Sequence, residues 1–247
     1  MKIFRNSVTF NKFYAGVNYL RNALPHACLL CLNPTEHYQQ YLCNTCRTDL
    51  PYVDYLCLGC AIPLTSNNKL CGNCQQSPPA YHLVTAGAYQ TPVKELISAL
   101  KYRNNQLIAH EVADLLARRI TQLLAAQTIN KPDFLIAVPL HWKKHYQRGF
   151  NQANLIAECL SQKLNIPILD CCQRNRYTKA QVSLTFKQRQ HNLNKAFSIT
   201  KPITGHTIAL VDDVYTTGST LHELASTIIR AKDVDIQFWT IARTQLE

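Results

Sequence analysis

No stretch of these 247 residues approaches the length of a membrane span; the longest apolar run near His141, Phe134 to Leu140, has the length of a strand. A membrane helix is excluded on that ground. The first 24 residues also lack the unbroken apolar core of a secretion signal, because Asn6, Asn11, Lys12, Asn18 and Arg21 interrupt it. The expectation is a cytoplasmic protein without membrane insertion. Acids are scarce too: 15 Asp and Glu stand against 26 Lys and Arg, a formal charge of +11. Residues 141–157 contain Lys143, Lys144 and Arg148 and no acid. Residues 171–201 contain Arg174, Arg176, Lys179, Lys187, Arg189, Lys195 and Lys201, again without one. Such stretches either form a solvated basic face or attract polyanions, whether a pyrophosphate-bearing ligand or nucleic acid. Residues 25–80 are short of branched aliphatics, so that region cannot rest on an ordinary apolar core. With 47% hydrophobic and 17% charged residues, the chain as a whole is globular rather than disordered. Its length accommodates one sizeable core and a small accessory module.

What stabilises residues 25–80 is cysteine. Eight of the 11 cysteines form four C-x-x-C pairs: Cys28/Cys31, Cys43/Cys46, Cys57/Cys60 and Cys71/Cys74. A two-residue gap lets both thiolates of one knuckle reach a single tetrahedral metal, and two knuckles complete a Cys₄ site. Four regular pairs without a secretion signal argue against redox thiols or a disulfide framework. Zinc is the default metal, with an iron–sulfur cluster the alternative. Sequential pairing gives two sites, Cys28–Cys46 and Cys57–Cys74; an interleaved pairing uses the same ligands. With protein ligands filling every position, two structural Zn²⁺ ions are expected to supply much of the module's folding energy. Gly59 and Gly72 are expected to provide positive φ in the knuckle turns. Cys159, on an amphipathic helix, reads as a small buried apolar residue, and Cys171 and Cys172 fit no pattern.

After Pro78-Pro79 strands and helices alternate. Strands are expected at 81–89, 134–138, 207–211 and 234–242. Helices are expected from Pro92 to about Tyr102, from about Gln106 to Ala126, and over 150–164 and 219–231. The alternation implies an α/β fold with a mostly parallel sheet covered on both faces, ligands binding beyond the carboxyl ends of its strands. Three regions follow: 1–24 as an N-terminal segment, 25–80 as the cysteine module and 81–247 as the larger domain.

The richest stretch is Ile208 to Leu221. Four apolar residues run into Asp212 and Asp213, then into a turn of Thr216, Thr217, Gly218, Ser219 and Thr220, then into a helix. Backbone N–H groups of such a turn converge on an anion, Gly218 allows close approach, and the helix adds its positive end. The two acids at the strand mouth suit the hydroxyls of a ribose. A plain turn with an N-cap at Ser219 or Thr220 explains the hydroxyls but not two adjacent acids against a buried strand. A second loop, Val138 to Gln152, carries Lys143, Lys144 and Arg148 off another strand end and can grip a pyrophosphate. His141 and His145 lie in it as weak candidates for proton donors or phosphate contacts.

The 208–221 stretch resembles the phosphoribosyl-pyrophosphate motif of type I phosphoribosyltransferases. Four cysteine knuckles ahead of Val138-Pro-Leu-His and Arg148-Gly-Phe-Asn-Gln152, then Asp212-Asp-Val-Tyr-Thr-Thr-Gly-Ser-Thr220, resemble the ComF/GntX family. The likeness runs from about residue 25 to 245 and includes Leu100-Lys101-Tyr102. It departs at Gln147-Arg148, where the family doubles an arginine. The resemblance implies a zinc-ribbon region joined to a type I phosphoribosyltransferase domain. It also implies phosphoribosyl pyrophosphate (PRPP) as ligand, with Asp212 and Asp213 on the ribose hydroxyls and Mg²⁺ nearby. Thr216 to Thr220 would then cradle the 5′-phosphate, and 171–201 would form a hood and mobile loop. By the same resemblance the protein serves natural competence, DNA uptake or DNA utilisation, with single-stranded DNA and competence-machinery proteins as partners. Trp142, Tyr146, Phe150 and Tyr177 are available for base stacking. Three readings stay open: transfer of a phosphoribosyl group to an unidentified acceptor, a nucleic-acid-handling factor, and a regulator with a relict pocket.

Overall fold

The computed structural model describes residues 27–36, 41–51, 53, 55–66, 68–103, 106–175 and 196–244. The N-terminal segment 1–24 and Arg176, Tyr177, Lys179, Lys187, Arg189 and Lys195 lie outside the described residues. The chain divides into two compact units, Met1–Leu50 and Pro51–Glu247. The four cysteines Cys28–Cys46 fall in the first unit, while Cys57–Cys74 belong with the sheet in the second. Among the described residues no helix is long and apolar enough to cross a membrane.

Among the described residues of the smaller unit is a short helix, α1 (Asn44–Thr48), behind the second knuckle. The larger unit opens with a matching helix, α2 (Gly72–Gln76). There follow β1 (His82–Ala88), α3 (Val93–Arg103), α4 (Gln106–Ala125), β2 (Phe134–Ala137), α5 (Trp142–Arg148) and α6 (Gln152–Leu164). The chain ends with β3 (Cys172–Arg174), β4 (Phe197–Ile199), β5 (Thr207–Tyr215), α7 (Ser219–Ala231) and β6 (Asp235–Arg243).

The main sheet is parallel throughout, in the order β1-β6-β5-β2. Its two central strands are apolar on both faces, as a sheet covered by helices requires. Ile208, Ala209, Leu210 and Val211 of β5 are fully buried, and so are Trp239, Ile241 and Ala242 of β6. Trp239 keeps its indole N–H satisfied by donating to Gln237 Oε1 at 3.1 Å. Beyond β2 the sheet gains one more bridge: Leu135 donates to Pro167 O (2.9 Å) and accepts from Leu169 N (2.8 Å), with Ile168 paired in parallel.

The helices follow their apolar spacing. α7 buries Leu221, Leu224, Ala225 and Ile228, and α6 buries Ala153, Ile156, Ala157 and Leu160. Each of the Leu and Ile side chains contributes about 1.5–3 kcal/mol on burial, and each Ala less than about 1 kcal/mol. Cys159 is among the buried residues of α6, as its position on the apolar stripe implies. α4 and α6 pack on each other and against one face of the sheet, whereas α7 packs on β5 and β4. Right-handed crossovers explain the division. The connections β1 to β2 and β2 to Ile168 run one way across the sheet, and β5 to β6 runs the other, which puts α7 on the opposite face. Strands β2 and β5 are therefore neighbours whose following helices diverge, and a crevice opens at their carboxyl ends.

Strands β3 and β4 stand where none is expected, and two further segments differ from expectation. The basic segment after β2, read as a loop, is the helix α5. His141 caps it, its Nδ1 accepting from Lys143 N (3.2 Å), and Gly149 closes it in the left-handed conformation (φ +77°). Strand β5 continues past Val211 to Tyr215, because Asp212, Val214 and Tyr215 stay in register with Thr240, Ala242 and Arg243 of β6.

The outer edge of β1 is covered by the second cysteine ribbon. Leu83 N donates to Leu58 O at 2.6 Å, and a Cβ on Gly87 would stand 2.6 Å from Pro51 O, so backbone lies directly on backbone there. An unpaired edge strand is a liability that this cover removes.

Candidate functional site

The cysteines resolve into two Cys₄ groups, Cys28, Cys31, Cys43, Cys46 and Cys57, Cys60, Cys71, Cys74. In each, the sulfurs lie within 4.8 Å of one another. Pairing is therefore sequential rather than interleaved. The first knuckles repeat the same local structure. In one, Cys28 N donates to Asn33 O and Leu32 N to Cys28 O; in the other, Cys57 N donates to Ile62 O and Ala61 N to Cys57 O. Bridges Ala27–Pro34 and Leu56–Pro63 close the two turns.

Positive φ falls on Leu32 (63°) and Ala61 (54°), the residues after the second cysteine of each knuckle, and not on Gly59 or Gly72 as expected. Gly59 is required for space instead: a Cβ there would meet Cys74 Sγ and Pro79 Cγ, each at 2.8 Å. Burial pushes the thiols of Cys28 and Cys57 up, but surrounding backbone N–H groups outweigh it and bring them down to about 6 and about 7. Cys57 Sγ accepts from Gly59 N (3.4 Å) and Cys71 N (3.2 Å). Four clustered sulfurs held by N–H donors fit a thiolate-bound zinc ion with no open position, which makes both sites structural.

The crevice between β2 and β5 holds the second constellation. Asp212 and Asp213 stand near the end of β5, with Asp212 Oδ1 accepting from the N–H of Asp213 (2.9 Å). Burial and the neighbouring Asp213 charge raise the Asp212 carboxyl to about 7, against the pull of that hydrogen bond, Lys101 and Arg174. Downstream, Thr217 and Ser219 bring their hydroxyls within 2.7 Å of each other, and Gly218 (φ +72°) turns the chain into α7. No side chain caps α7. The first helical N–H, that of Ser219, donates to Thr217 Oγ1 at 3.4 Å, and those of Thr220 and Leu221 follow in the first turn, where a helix has no acceptor of its own and an anion is favoured. The turn rests on Tyr215: a Cβ on Gly218 would lie 2.3 Å from the phenol oxygen, which itself contacts His222 Nε2 at 3.3 Å.

Around the two acids are four cations from three separate elements. Lys101 of α3 pairs directly with Asp213 Oδ2 at 2.9 Å, the two side chains being 24% and 14% exposed. Burial alone would lower the Lys101 ammonium; the charges of Asp213 and Asp212 outweigh it and hold it above its ordinary value. Arg174 of β3 is within electrostatic reach of Asp212 and lies over the Phe197 ring, 5.4 Å from its centroid. Lys144 is pulled down by burial and then by Arg174, Arg148 and Lys101, so these cations share one neighbourhood. Four basic side chains thus lie within electrostatic reach of one another against two carboxyls, those of Asp212 and Asp213. The surplus fits a bound anion.

Of the three basic residues named from the α5 segment, Lys144 and Arg148 are one turn apart and share a helix side. Lys143 is exposed, with its ammonium 5.4 Å from the centroid of the Trp142 ring. His141 is buried and occupied as the α5 cap, whereas His145 is exposed. Trp142 and Tyr146, also one turn apart, are 65% and 89% exposed. From sequence Lys101 belongs to the Leu100-Lys101-Tyr102 likeness and has no assigned role. Nothing local marks it: it sits at the edge of an amphipathic helix beside the buried Leu100, where a lysine ordinarily reaches to solvent.

The double zinc ribbon domain family matches residues 19–75, a span that includes both Cys₄ groups. The DNA utilization protein YhgH of Shigella flexneri is 34% identical over 223 residues, covering 90% of this chain and 98% of that one. Competence protein F of Haemophilus influenzae is 35% identical over 178 residues, 70% of this chain and 78% of that protein. Among solved structures, the adenine phosphoribosyltransferase of Leishmania donovani is similar at 12% identity with a TM-score of 0.38. That likeness covers 68% of this chain and 85% of the enzyme.

Proposed function

Because the chain belongs to the ComF/GntX family, that of competence protein F and the DNA utilization protein YhgH, we propose that its crevice binds PRPP with Mg²⁺. The observation that carries this reading is the acid pair Asp212–Asp213, ringed by Lys101, Lys144, Arg148 and Arg174 beside an uncapped helix N-terminus. Each part of the ligand has a chemical counterpart. The carboxylates of Asp212 and Asp213 accept from the ribose hydroxyls. Thr216, Thr217, Gly218, Ser219 and Thr220 offer backbone N–H groups and hydroxyls to the 5′-phosphate. Lys144 and Arg148, with Lys143 nearer solvent, meet the pyrophosphate.

The two carboxylates are hard oxygen donors suited to Mg²⁺, and the net positive surroundings suit a metal that arrives together with the pyrophosphate. When bound, the ion would neutralise the leaving group. In the transfer reaction the bond from the ribose anomeric carbon to pyrophosphate breaks, an acceptor atom bonds to that carbon, and the acceptor's proton leaves. The cations of α3, α5 and β3 stabilise the departing pyrophosphate, the largest electrostatic demand of the step.

Mass spectrometry of PRPP and Mg²⁺ incubated with the metallated protein and a cell extract tests this. Consumed PRPP with a new ribosylated product establishes transfer. Bound but unconsumed PRPP identifies a regulatory pocket. A protein that neither binds nor consumes it refutes the reading.

A second reading has an observation of its own. Trp142 and Tyr146 form an exposed aromatic pair on α5 with Lys143 over the Trp142 ring, a platform for the bases of single-stranded DNA. The names of the relatives agree with a role in DNA use or competence. Trp142→Ala with Tyr146→Ala is expected to weaken single-stranded DNA binding at low salt by roughly tenfold or more, at about 1–3 kcal/mol per stacked base. Binding that ignores both the substitutions and the salt concentration would dismiss it.

A further inference from the structure

Lys101 lies outside both loops that face the crevice, yet it pairs directly with Asp213 at 2.9 Å. Lysine–carboxylate pairs are present at Asp213, Asp114 and Asp170. The Lys101–Asp213 pair is the most enclosed of them. Lys201 and Asp170 are 62% and 87% exposed, and Lys163 and Asp114 are about one-third exposed. An enclosed lysine is held here against repulsion. Lys144, itself close enough to feel Lys101, brings Arg148 and Arg174 into the same neighbourhood. The two acids offset this crowding, and Lys101 takes an oxygen of one of them directly.

That oxygen is also among those a divalent ion in the crevice would use. An ammonium and a divalent cation cannot share one carboxylate oxygen at van der Waals distance without strong repulsion, because both charges would lie within a few ångströms in a partly desolvated site. A lysine displaced from Asp213 keeps its anchor on α3 and a flexible four-carbon stem. Its three N–H donors then turn to the nearest anion.

We propose that Lys101 serves two roles in turn, as counter-cation of Asp213 and as a contact for the pyrophosphate end of the ligand, exchanging between them when a metal–pyrophosphate ligand enters. This inference rests on the reading of the crevice as a PRPP site. It explains why the acid pair carries its own positive charge in a crevice expected to take a metal: the acids stay neutralised without an ion, and the charge is released to the ligand on binding. Lys101 is thereby a ligand contact, and its two roles predict effects of opposite sign.

Lys101→Met, which keeps the length of the stem and removes the charge, separates them. Mn²⁺ binding without PRPP, followed by electron paramagnetic resonance, is expected to tighten about tenfold, because the competing ammonium is gone. PRPP binding at saturating Mg²⁺, followed by calorimetry, is expected to weaken about 10- to 100-fold, the scale of a charge-assisted hydrogen bond to phosphate. Lys101→Arg is expected to restore PRPP binding to within a few fold of the wild type. A purely structural lysine would lower both affinities together and reduce the melting temperature. Mn²⁺ affinity that stays unchanged or falls in Lys101→Met overturns the counter-cation role. Unchanged PRPP affinity overturns the ligand contact. If the wild type itself binds no PRPP, the reading of the site fails and the proposal falls with it. If the wild type binds and Lys101→Met matches it in both measurements, the proposal alone fails.

Discussion

The two cysteine ribbons are one local structure built twice, and they differ in what each is attached to. Both have a knuckle closed by a residue of positive φ, a proline bridge two residues on, and a five-residue helix starting one residue beyond the third cysteine. The first belongs to the smaller unit. The second is part of the larger unit, where Leu58 O takes a hydrogen bond from the edge strand β1. Equal metal chemistry can therefore have unequal consequences. In the second ribbon the ion also fixes the cover of the sheet whose carboxyl end carries the crevice.

The largest effect expected from this difference is in metal removal. Cys57→Ser with Cys60→Ser should lower the bound zinc from two ions to one and abolish PRPP binding as the sheet loses its edge cover, since such sites contribute folding energy outright. Cys28→Ser with Cys31→Ser should remove the same amount of zinc and leave PRPP affinity within about threefold, RT being about 0.6 kcal/mol. Zinc stoichiometry and calorimetry on both double variants check this. If the two behave alike, the contrast between the ribbons is wrong.

A smaller effect comes from the position between the paired cysteines where the first knuckles differ in bulk. Gly59 of the second ribbon has Cys74 Sγ and Pro79 Cγ where a Cβ would go, whereas its counterpart in the first ribbon is Leu30. Gly59→Ala should cost about 1–3 kcal/mol, the usual penalty of overpacking, and loosen the second zinc; Leu30→Gly should leave the first zinc in place. Competition with a chelator, monitored ion by ion, separates the two. Equal release in both variants would contradict the steric account. The smallest effect should be shared. Leu32→Gly and Ala61→Gly each relieve a left-handed residue, so each ribbon should gain up to about 1 kcal/mol of stability, read from thermal melting. A gain in one ribbon and a loss in the other would show that the knuckles are not equivalent.

How much of this was legible in the sequence depends on how local the information is. The Cys₄ ligands and the run from β5 into α7 were readable because each chemical unit lies within a few dozen residues and carries its own turn chemistry. The mostly parallel α/β sheet followed from alternating periodicity. The helix α5 was missed because seven residues give barely two turns of period. Its defining features, a histidine cap and the left-handed Gly149, look like those of any loop. The three-residue strands β3 and β4 are too short to show alternation. Lys101 and Arg174 reach the acid pair only through tertiary packing of α3 and β3, so their roles are invisible to spacing. The knuckle glycines were read as conformational when Gly59 is steric, a distinction that depends on Pro79 and Cys74 lying against it.

The central claim is that Asp212 and Asp213, with the cations around them, form a binding site for a pyrophosphate-bearing ribose. Calorimetric titration of the zinc-loaded protein with PRPP and Mg²⁺ tests it most directly, beside Asp212→Ala with Asp213→Ala. The account predicts a saturable heat of binding in the wild type that the double variant loses, with both proteins melting at similar temperatures. A wild type without binding heat, or a double variant that binds as well as the wild type, would contradict it.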